Sequence, residues 1–242
     1  PLLFLFIFGS GLSSSMGLLG PGVDFAQFMF PGIIGMTVLM SSFMGGISVV
    51  WDREFGFLKE VLVAPINRAS VAAGKTLGSA TVALLQGMVI LILAPAVGVS
   101  LSAWTVVKLL PLIFLLAASL GSLGVLLATR IKSMEAFQAL MPMVMFPMVF
   151  LSGVFFPLQR LPAWMNILVK INPATYGITP IRQVVLGTSQ GTYFGITLFG
   201  HTLTLWQDVA IVTGFGVIML IFCLLYTSPS PRDLSTSRMP SS

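Results

Sequence analysis

Charged side chains are scarce in this sequence: Asp, Glu, Lys and Arg make up 8% of its 242 residues. A soluble domain carries about 25%, and so few charges cannot cover a water-facing surface of this size. The complement is a hydrophobic content of 56% and a mean hydropathy of +1.01. An integral membrane protein is the class that remains. Cysteine and histidine are scarcer still, with Cys223 and His201 each alone. A single thiol excludes an intrachain disulfide and a cysteine-rich metal centre, and a single imidazole argues against a histidine-based one. There is no Ser–His–Asp set and no facing pair of carboxylates, so the chain is not read as an enzyme on its own. The net charge of +5 and the isoelectric point near 9.8 could signal nucleic acid. No basic cluster is interleaved with aromatics, however, and an excess of Lys and Arg in cytoplasmic loops accounts for the balance without a nucleic-acid partner.

What is abundant is long apolar runs. A helix needs about 20 mainly apolar residues to cross the hydrocarbon core. "PLLFLFIFG" at the start reads as the tail end of one span, and "GSGLSSSMGLLGPGVD" after it as a loop. Further spans are expected over roughly 31–51, 77–99, 107–129, 136–156 and 206–225. The expected fold is therefore all-α and integral to the membrane, with about six transmembrane helices, the first truncated. Residues 1–226 form one transmembrane domain, with no soluble domain and no repeat. Because the first residue is Pro1, the sequence is expected to lack its true N-terminus. Residues 227–242 form a Ser-, Pro- and Arg-rich tail. It reads either as a disordered cytoplasmic extension or as foreign, since "CLLYTSPSPRD" and "SRMPSS" resemble translated sequencing-adapter read-through.

Orientation follows from Lys and Arg in short loops. Arg53, Lys59, Arg68 and Lys75 lie between spans two and three, and Arg130 and Lys132 between spans four and five. Alternation puts both connections on the cytoplasmic side and the loop from Gly9 to Phe30, which has no Lys or Arg, outside. The segment after span five also falls outside, although it carries Arg160, Lys170 and Arg182. It is too apolar for an ordinary loop. "LPAWMNILVKI" and "TYGITPIRQVVLG" read as two short helices, either lying at the interface or forming a re-entrant hairpin that dips into the bilayer.

The scarce charge is concentrated in one place, "WDREFGFLKEVLVAPINR" from Trp51 to Arg68. At 100° per residue, Phe55, Phe57, Leu58, Val61 and Leu62 share an arc of roughly 160°. Asp52, Arg53, Gly56, Lys59 and Glu60 lie opposite, and Glu54 intrudes on the apolar side. The expectation is an amphipathic helix with Asp52 and Glu54 in its first turn, where negative charge suits the helix dipole. Pro65 ends it. Each central charge costs about 2.5–3.5 kcal/mol to insert, so this helix lies at the cytoplasmic surface. It either anchors the loop or presents a docking face to a cytoplasmic partner.

The stretch from "FPGIIGMTVLM" through this helix to "GKTLG" closely resembles the second span, coupling region and third-span entry of ABC-2 type transporter permeases, the drug- and polysaccharide-export members above all. A second stretch, "FPMVFLSGVFFPLQRLPAWMNILVKINPATYGITPIRQVVLG", is similar to the same family's fifth span, its "SG-x-FFP" exit and an outer hairpin ending in an "NP-x-TY" turn and an Arg. The resemblance implies a permease subunit that pairs with another, identical or not. It also implies cytoplasmic ATP-binding cassette subunits, which would bind ATP and Mg, so the chain itself needs no cofactor. On the same resemblance the helix from Asp52 to Ala64 corresponds to the coupling helix, with Arg53, Glu54, Gly56, Leu58, Lys59, Glu60, Leu62 and Pro65 at the matching positions. Pro157, Pro162, Asn172, Pro173, Tyr176 and Arg182 mark the outer hairpin. The family's usual amphipathic helix before span one is not found.

Other signals are weaker. "ASVAAGKT" nearly spells a phosphate-binding loop, but its first position is Ala69, no strand precedes it, and Lys75 reads as a positive-inside anchor. Ala117 with Gly121 and Gly124 with Ala128 have small-xxx-small spacing, for packing within a subunit or between subunits. Met134, Met141, Met143, Met145 and Met148 cluster in span five and could line a lipophilic pathway. Pro142 and Pro147 should bend that span. Gln86 and Glu135 are the polar groups read as nearest the membrane, Glu135 pairing with Lys132. The expected function is that of an ATP-driven exporter's permease in a prokaryotic plasma (inner) membrane, crossing it several times among membrane lipids and moving a drug-like lipophile or a lipid-linked glycan. The rivals are an ion-coupled secondary transporter, which needs buried intramembrane charge and inverted repeats, and a non-transporting scaffold.

Overall fold

The computed structural model describes residue 7 and residues 25–56, 68–131, 133–155, 158, 161–187, 195–198 and 201–227. The expected first span, the Gly- and Ser-rich loop after it, and the tail beyond 227 lie outside these residues, residue 7 apart. Among the described residues the architecture is helical, apart from a minimal antiparallel pair of strands, β1 (Thr197–Leu198) and β2 (His201–Thr202).

α1 runs from Phe25–Glu54, α2 from Arg68–Leu93, α3 from Ala103–Arg130 and α4 from Met134–Phe150. α5 (Ala163–Ile171) and α6 (Pro173–Leu186) occupy the segment read as the outer hairpin, and α7 (Leu205–Thr227) ends the described chain. Among the described residues, four helices are long and apolar enough to cross a membrane: α1, α2, α3 and α7. α4 is apolar but has 17 residues, about 25 Å at 1.5 Å per residue, less than the roughly 30 Å hydrocarbon core. It runs through both Pro142 and Pro147.

α1 is the central element, packing against α2, α3, α4 and α6. Phe28, Phe30, Ile34, Val38, Leu39 and Phe43 are buried along it. Close approach to α3 depends on small residues: a Cβ on Gly46 would lie 2.5 Å from the Gly124 carbonyl oxygen, and one on Gly124 would lie 3.2 Å from Phe43 Cα. Ala117 and Ala128 are fully buried on the same helix. The small-residue spacing therefore serves packing within the subunit, as one of its two expected roles. Buried hydroxyls are satisfied without water. Thr37 donates to the Ile33 carbonyl, Ser42 to Val38 and Thr76 to Ala72, each one turn back along its own helix, while Ser119 reaches across to Val212 on α7.

One expectation is overturned here. Asp52, Arg53 and Glu54 do not begin a separate surface helix; they are the last turn of α1. No helix breaker separates them from the span, so the backbone continues past the point where apolar sequence gives way to charge. Gly56 stops it: its φ is +79°, and its N–H bonds to the Arg53 carbonyl at 3.3 Å, a left-handed C-terminal cap that glycine adopts without strain. The dipole argument reverses accordingly, since Asp52 and Glu54 stand at the negative end of a helix and Arg53 at the end that favours it. The expected facing reverses as well. Phe55 is 81% exposed, whereas Asp52 and Arg53 are half-buried. The rest of the expected amphipathic helix lies outside the described residues.

Candidate functional site

Three regions hold the residues singled out from sequence. The first is the C-terminal end of α1. Lys75 Nζ on α2 pairs with Asp52 Oδ2 at 2.6 Å, so the lysine of the phosphate-loop look-alike is an ion-pair partner. Arg53 donates from Nη1 to the carbonyls of Thr129 and Ile131, at 3.3 and 3.1 Å, and from Nη2 to Thr129 at 3.3 Å. These carbonyls close α3, where a helix leaves its last acceptors without intrahelical donors. Glu54 is exposed and Gly56 is the cap. Leu58, Lys59, Glu60, Leu62 and Pro65 lie outside the described residues, as does Lys132, the expected partner of Glu135.

The second region is a cleft of about 350 Å³ between α1 and α4. Its walls include Met36, Met40 and Ile47 from α1 and Met141, Met145 and Phe146 from α4. Gln138 is the polar side chain among the lining residues. Methionine side chains adapt to varied apolar shapes. Of the five methionines singled out on α4, Met141 and Met145 line this cleft, Met134 and Met148 pack against the core, and Met143 is 76% exposed. Sequence reading missed the α1 contribution. Met36 and Met40 are one turn apart, but nothing in a one-dimensional pattern sets them opposite α4.

The third region is the hairpin. Asn172 defines its joint, where the Oδ1 accepts from the Ala174 N–H at 3.1 Å, capping α6, and the Nδ2 donates to the Met148 carbonyl at 2.7 Å. Pro173 occupies the first turn of α6, where a missing N–H costs nothing. Pro162 stands at the N-cap of α5. Tyr176 Oη donates to the Lys170 carbonyl at 2.7 Å, closing the angle between the two helices. Pro157 lies outside the described residues. The two helices differ in surroundings. α5 exposes Trp164, Ile167 and Ile171, whereas every residue of α6 from Ala174 to Gln183 is buried. α6 packs among α1, α3 and α7, so it has no interfacial face over that stretch.

Arg182 on α6 is 1% exposed. Its Nη2 donates to the Gly153 carbonyl at 2.7 Å, and its guanidinium lies 4.5 Å from the centroid of Phe28. Its Nε and Nη1 have no hydrogen-bond partner. Asp208, one turn into α7, is fully buried with both carboxylate oxygens unpartnered. It was missed from sequence, where Gln86 and Glu135 were read as the polar groups nearest the membrane. The signal was there: "WQDVAIV" places a lone acid inside the start of an apolar run. Gln86 accepts from Ser41 Oγ, joining α2 to α1, and Glu135 is exposed. Among the described residues, no group of His, Cys, Asp and Glu could hold a metal ion.

A family model described as ABC-2 type transporter matches residues 1–186. The chain is 27% identical over 224 residues to the putative transport permease ycf38 of Cyanophora paradoxa, covering 90% of this chain and 77% of that protein. It is 28% identical over 227 residues to the inner membrane transport permease YadH of Escherichia coli (strain K12), covering 93% and 80%. To nodulation protein J of Rhizobium leguminosarum bv. trifolii it is 28% identical over 190 residues, covering 77% and 71%.

Proposed function

This chain belongs to the ABC-2 type transporter family, a family of membrane permeases, and from that membership we propose that it is the transmembrane subunit of an ATP-driven exporter. Permeases of this family pair in general with ATP-binding subunits. In this reading such a subunit docks on the segment that follows Gly56, recognising Lys59 and Glu60, and hydrolyses ATP in the cytoplasm of a prokaryotic cell. Two permeases, identical or paired, stand side by side among membrane lipids, and the α5–α6 hairpin closes the outer end of the pathway.

The observation that carries the substrate class is the cleft between α1 and α4. It is lined almost wholly by Met, Phe, Ile and Val side chains. An apolar wall selects a lipophilic body and offers no built site for a free sugar or ion. A drug-like lipophile or the lipid portion of a lipid-linked glycan fits that lining.

One observation favours a rival. Arg182 and Asp208 are buried ionisable groups of the kind an ion-coupled carrier uses. The two readings separate in inside-out vesicles: a protonophore abolishes ion-coupled transport and leaves ATP-driven transport intact. For the docking segment, E60K is expected to lower recovery of the complex with the ATP-binding subunit at least about tenfold, a charge reversal at an interface, while membrane insertion is unchanged. Undiminished complex yield would overturn the docking assignment.

A further inference from the structure

We propose that Arg53 is a positioning residue of the transport cycle, fastening the cytoplasmic end of α1 to the α3–α4 connection so that a push on that end moves both walls of the cleft together. The inference rests on the reading above, in which an ATP-binding partner acts on the segment after Gly56.

The last turn of α1 divides its residues sharply. Trp51, Glu54 and Phe55 are exposed, whereas Asp52 and Arg53 are half-buried. Neighbouring residues on a helix point about 100° apart, and these two use that angle to reach different helices. Asp52 meets Lys75 on α2. Arg53 meets the carbonyls of Thr129 and Ile131. A guanidinium is a planar fork of donors, so one side chain can hold several carbonyls in fixed geometry. Its charge also lies at the negative ends of α1 and α3 at once.

The place of attachment matters more than its strength. Ile131 follows the end of α3, and Ser133 already caps α4 by accepting from the Ala136 N–H at 3.3 Å. Arg53 therefore joins one cleft wall, α1, to the short link that leads into the other, α4. Immediately beyond the brace, Gly56 ends the helix with a left-handed φ of +79°. Force arriving from the following segment meets a braced helix end. Without Arg53, the tie from α1 to the link before α4 is lost, while the Asp52–Lys75 pair still holds α1 to α2.

The test uses the complex of this chain with its co-expressed ATP-binding subunit in lipid nanodiscs. A single cysteine is placed in the cleft as M145C, in a C223S background, and its rate of labelling by a soluble fluorescent maleimide is compared between nucleotide-free and ATP-plus-vanadate states. The M145C complex is expected to change its labelling rate at least about threefold between states, the sign of a population shift. Adding R53Q should bring that ratio to about one, a larger proportional fall than that in ATP hydrolysis, because the fork that ties α1 to the α3–α4 link is lost. R53K, which keeps the charge but not the fork, should fall between. If R53Q is not recovered as an intact complex, R53K carries the test, and a parental ratio in R53K overturns the proposal. A parental ratio in R53Q, or a loss of ATP hydrolysis in proportion to the lost ratio, also overturns it. No nucleotide response in M145C alone overturns the ATP-driven reading, and this proposal with it.

Discussion

A carboxyl group buried without a hydrogen-bond partner is destabilising by about 1–3 kcal/mol, and Asp208 is fully buried with neither oxygen bonded. D208N keeps the shape and removes the acid. It is expected to raise the unfolding midpoint of the detergent-solubilised chain, by about 1–3 kcal/mol of stability; a lower midpoint would mean that the carboxylate has a partner in the assembled protein. Asn172 is the opposite case, a polar side chain whose bonds to Ala174 and Met148 are both formed. N172A removes a helix cap and a buried hydrogen bond, so a loss of about 1–2 kcal/mol is expected in the same assay. N172S restores the cap alone and should recover part of it. Equal stability of N172A and the parent would contradict the joint described here. Residue identity was only partly readable in advance. Asn172 and Pro173 carry a recognisable turn chemistry. The isolation of Asp208 depends on what packs around α7, which no single-sequence pattern records.

At the scale of elements, helix length and helix contact respond to different physics. Four of the expected spans correspond to α1, α2, α3 and α7, although α2 begins at Arg68 rather than near residue 77; apolar runs locate them because the bilayer demands an apolar surface of fixed length. Their true ends were harder to read. Charge marks where the membrane stops and backbone geometry marks where the helix stops, so Asp52–Glu54 read in sequence as a beginning although they are the end of α1. α6 makes a related point. Its sequence reads either as an interfacial helix or as one arm of a re-entrant hairpin, and its burial from Ala174 to Gln183 removes the first. Thr179 Oγ1 donates to the Thr175 carbonyl at 2.8 Å and Thr175 Oγ1 to the Val169 carbonyl at 3.1 Å. A hydroxyl that bonds its own backbone can be buried among helices. The α1–α3 contact offers a contrast that tests this view of packing. G46A would press a methyl into the Gly124 carbonyl, a backbone atom that cannot step aside, and should cost about 1–3 kcal/mol. G74A on α2 meets nothing within 4 Å and should add about 0.5–1 kcal/mol by helix propensity. Similar midpoints for the two variants would show that the helices are not in the close contact described.

The whole molecule is a helical bundle with a buried axis and unevenly covered flanks. In the most apolar window of α1, 72% of residues lie inside the protein, against 33% for α2 and 17% for α7. The outer faces of α2 and α7 display Leu85, Val89, Ile92, Val217 and Ile221 to their surroundings, surfaces suited to lipid or to a second permease. That the molecule is a membrane permease was legible from charge scarcity and two family-like stretches, since both are properties of sequence. The cleft was legible only as a row of methionines on one helix, because its other wall comes from a residue run about a hundred positions away. The central claim is that ATP drives a lipophilic substrate outward through this chain. It is tested most directly in inside-out vesicles containing the chain and its ATP-binding subunit, by the uptake of fluorescent lipophilic dyes and of a labelled lipid-linked oligosaccharide. The expected result is uptake of at least one of these classes that requires hydrolysable ATP and survives a protonophore. Uptake of both classes that is the same with ATP and with a non-hydrolysable analogue would contradict it.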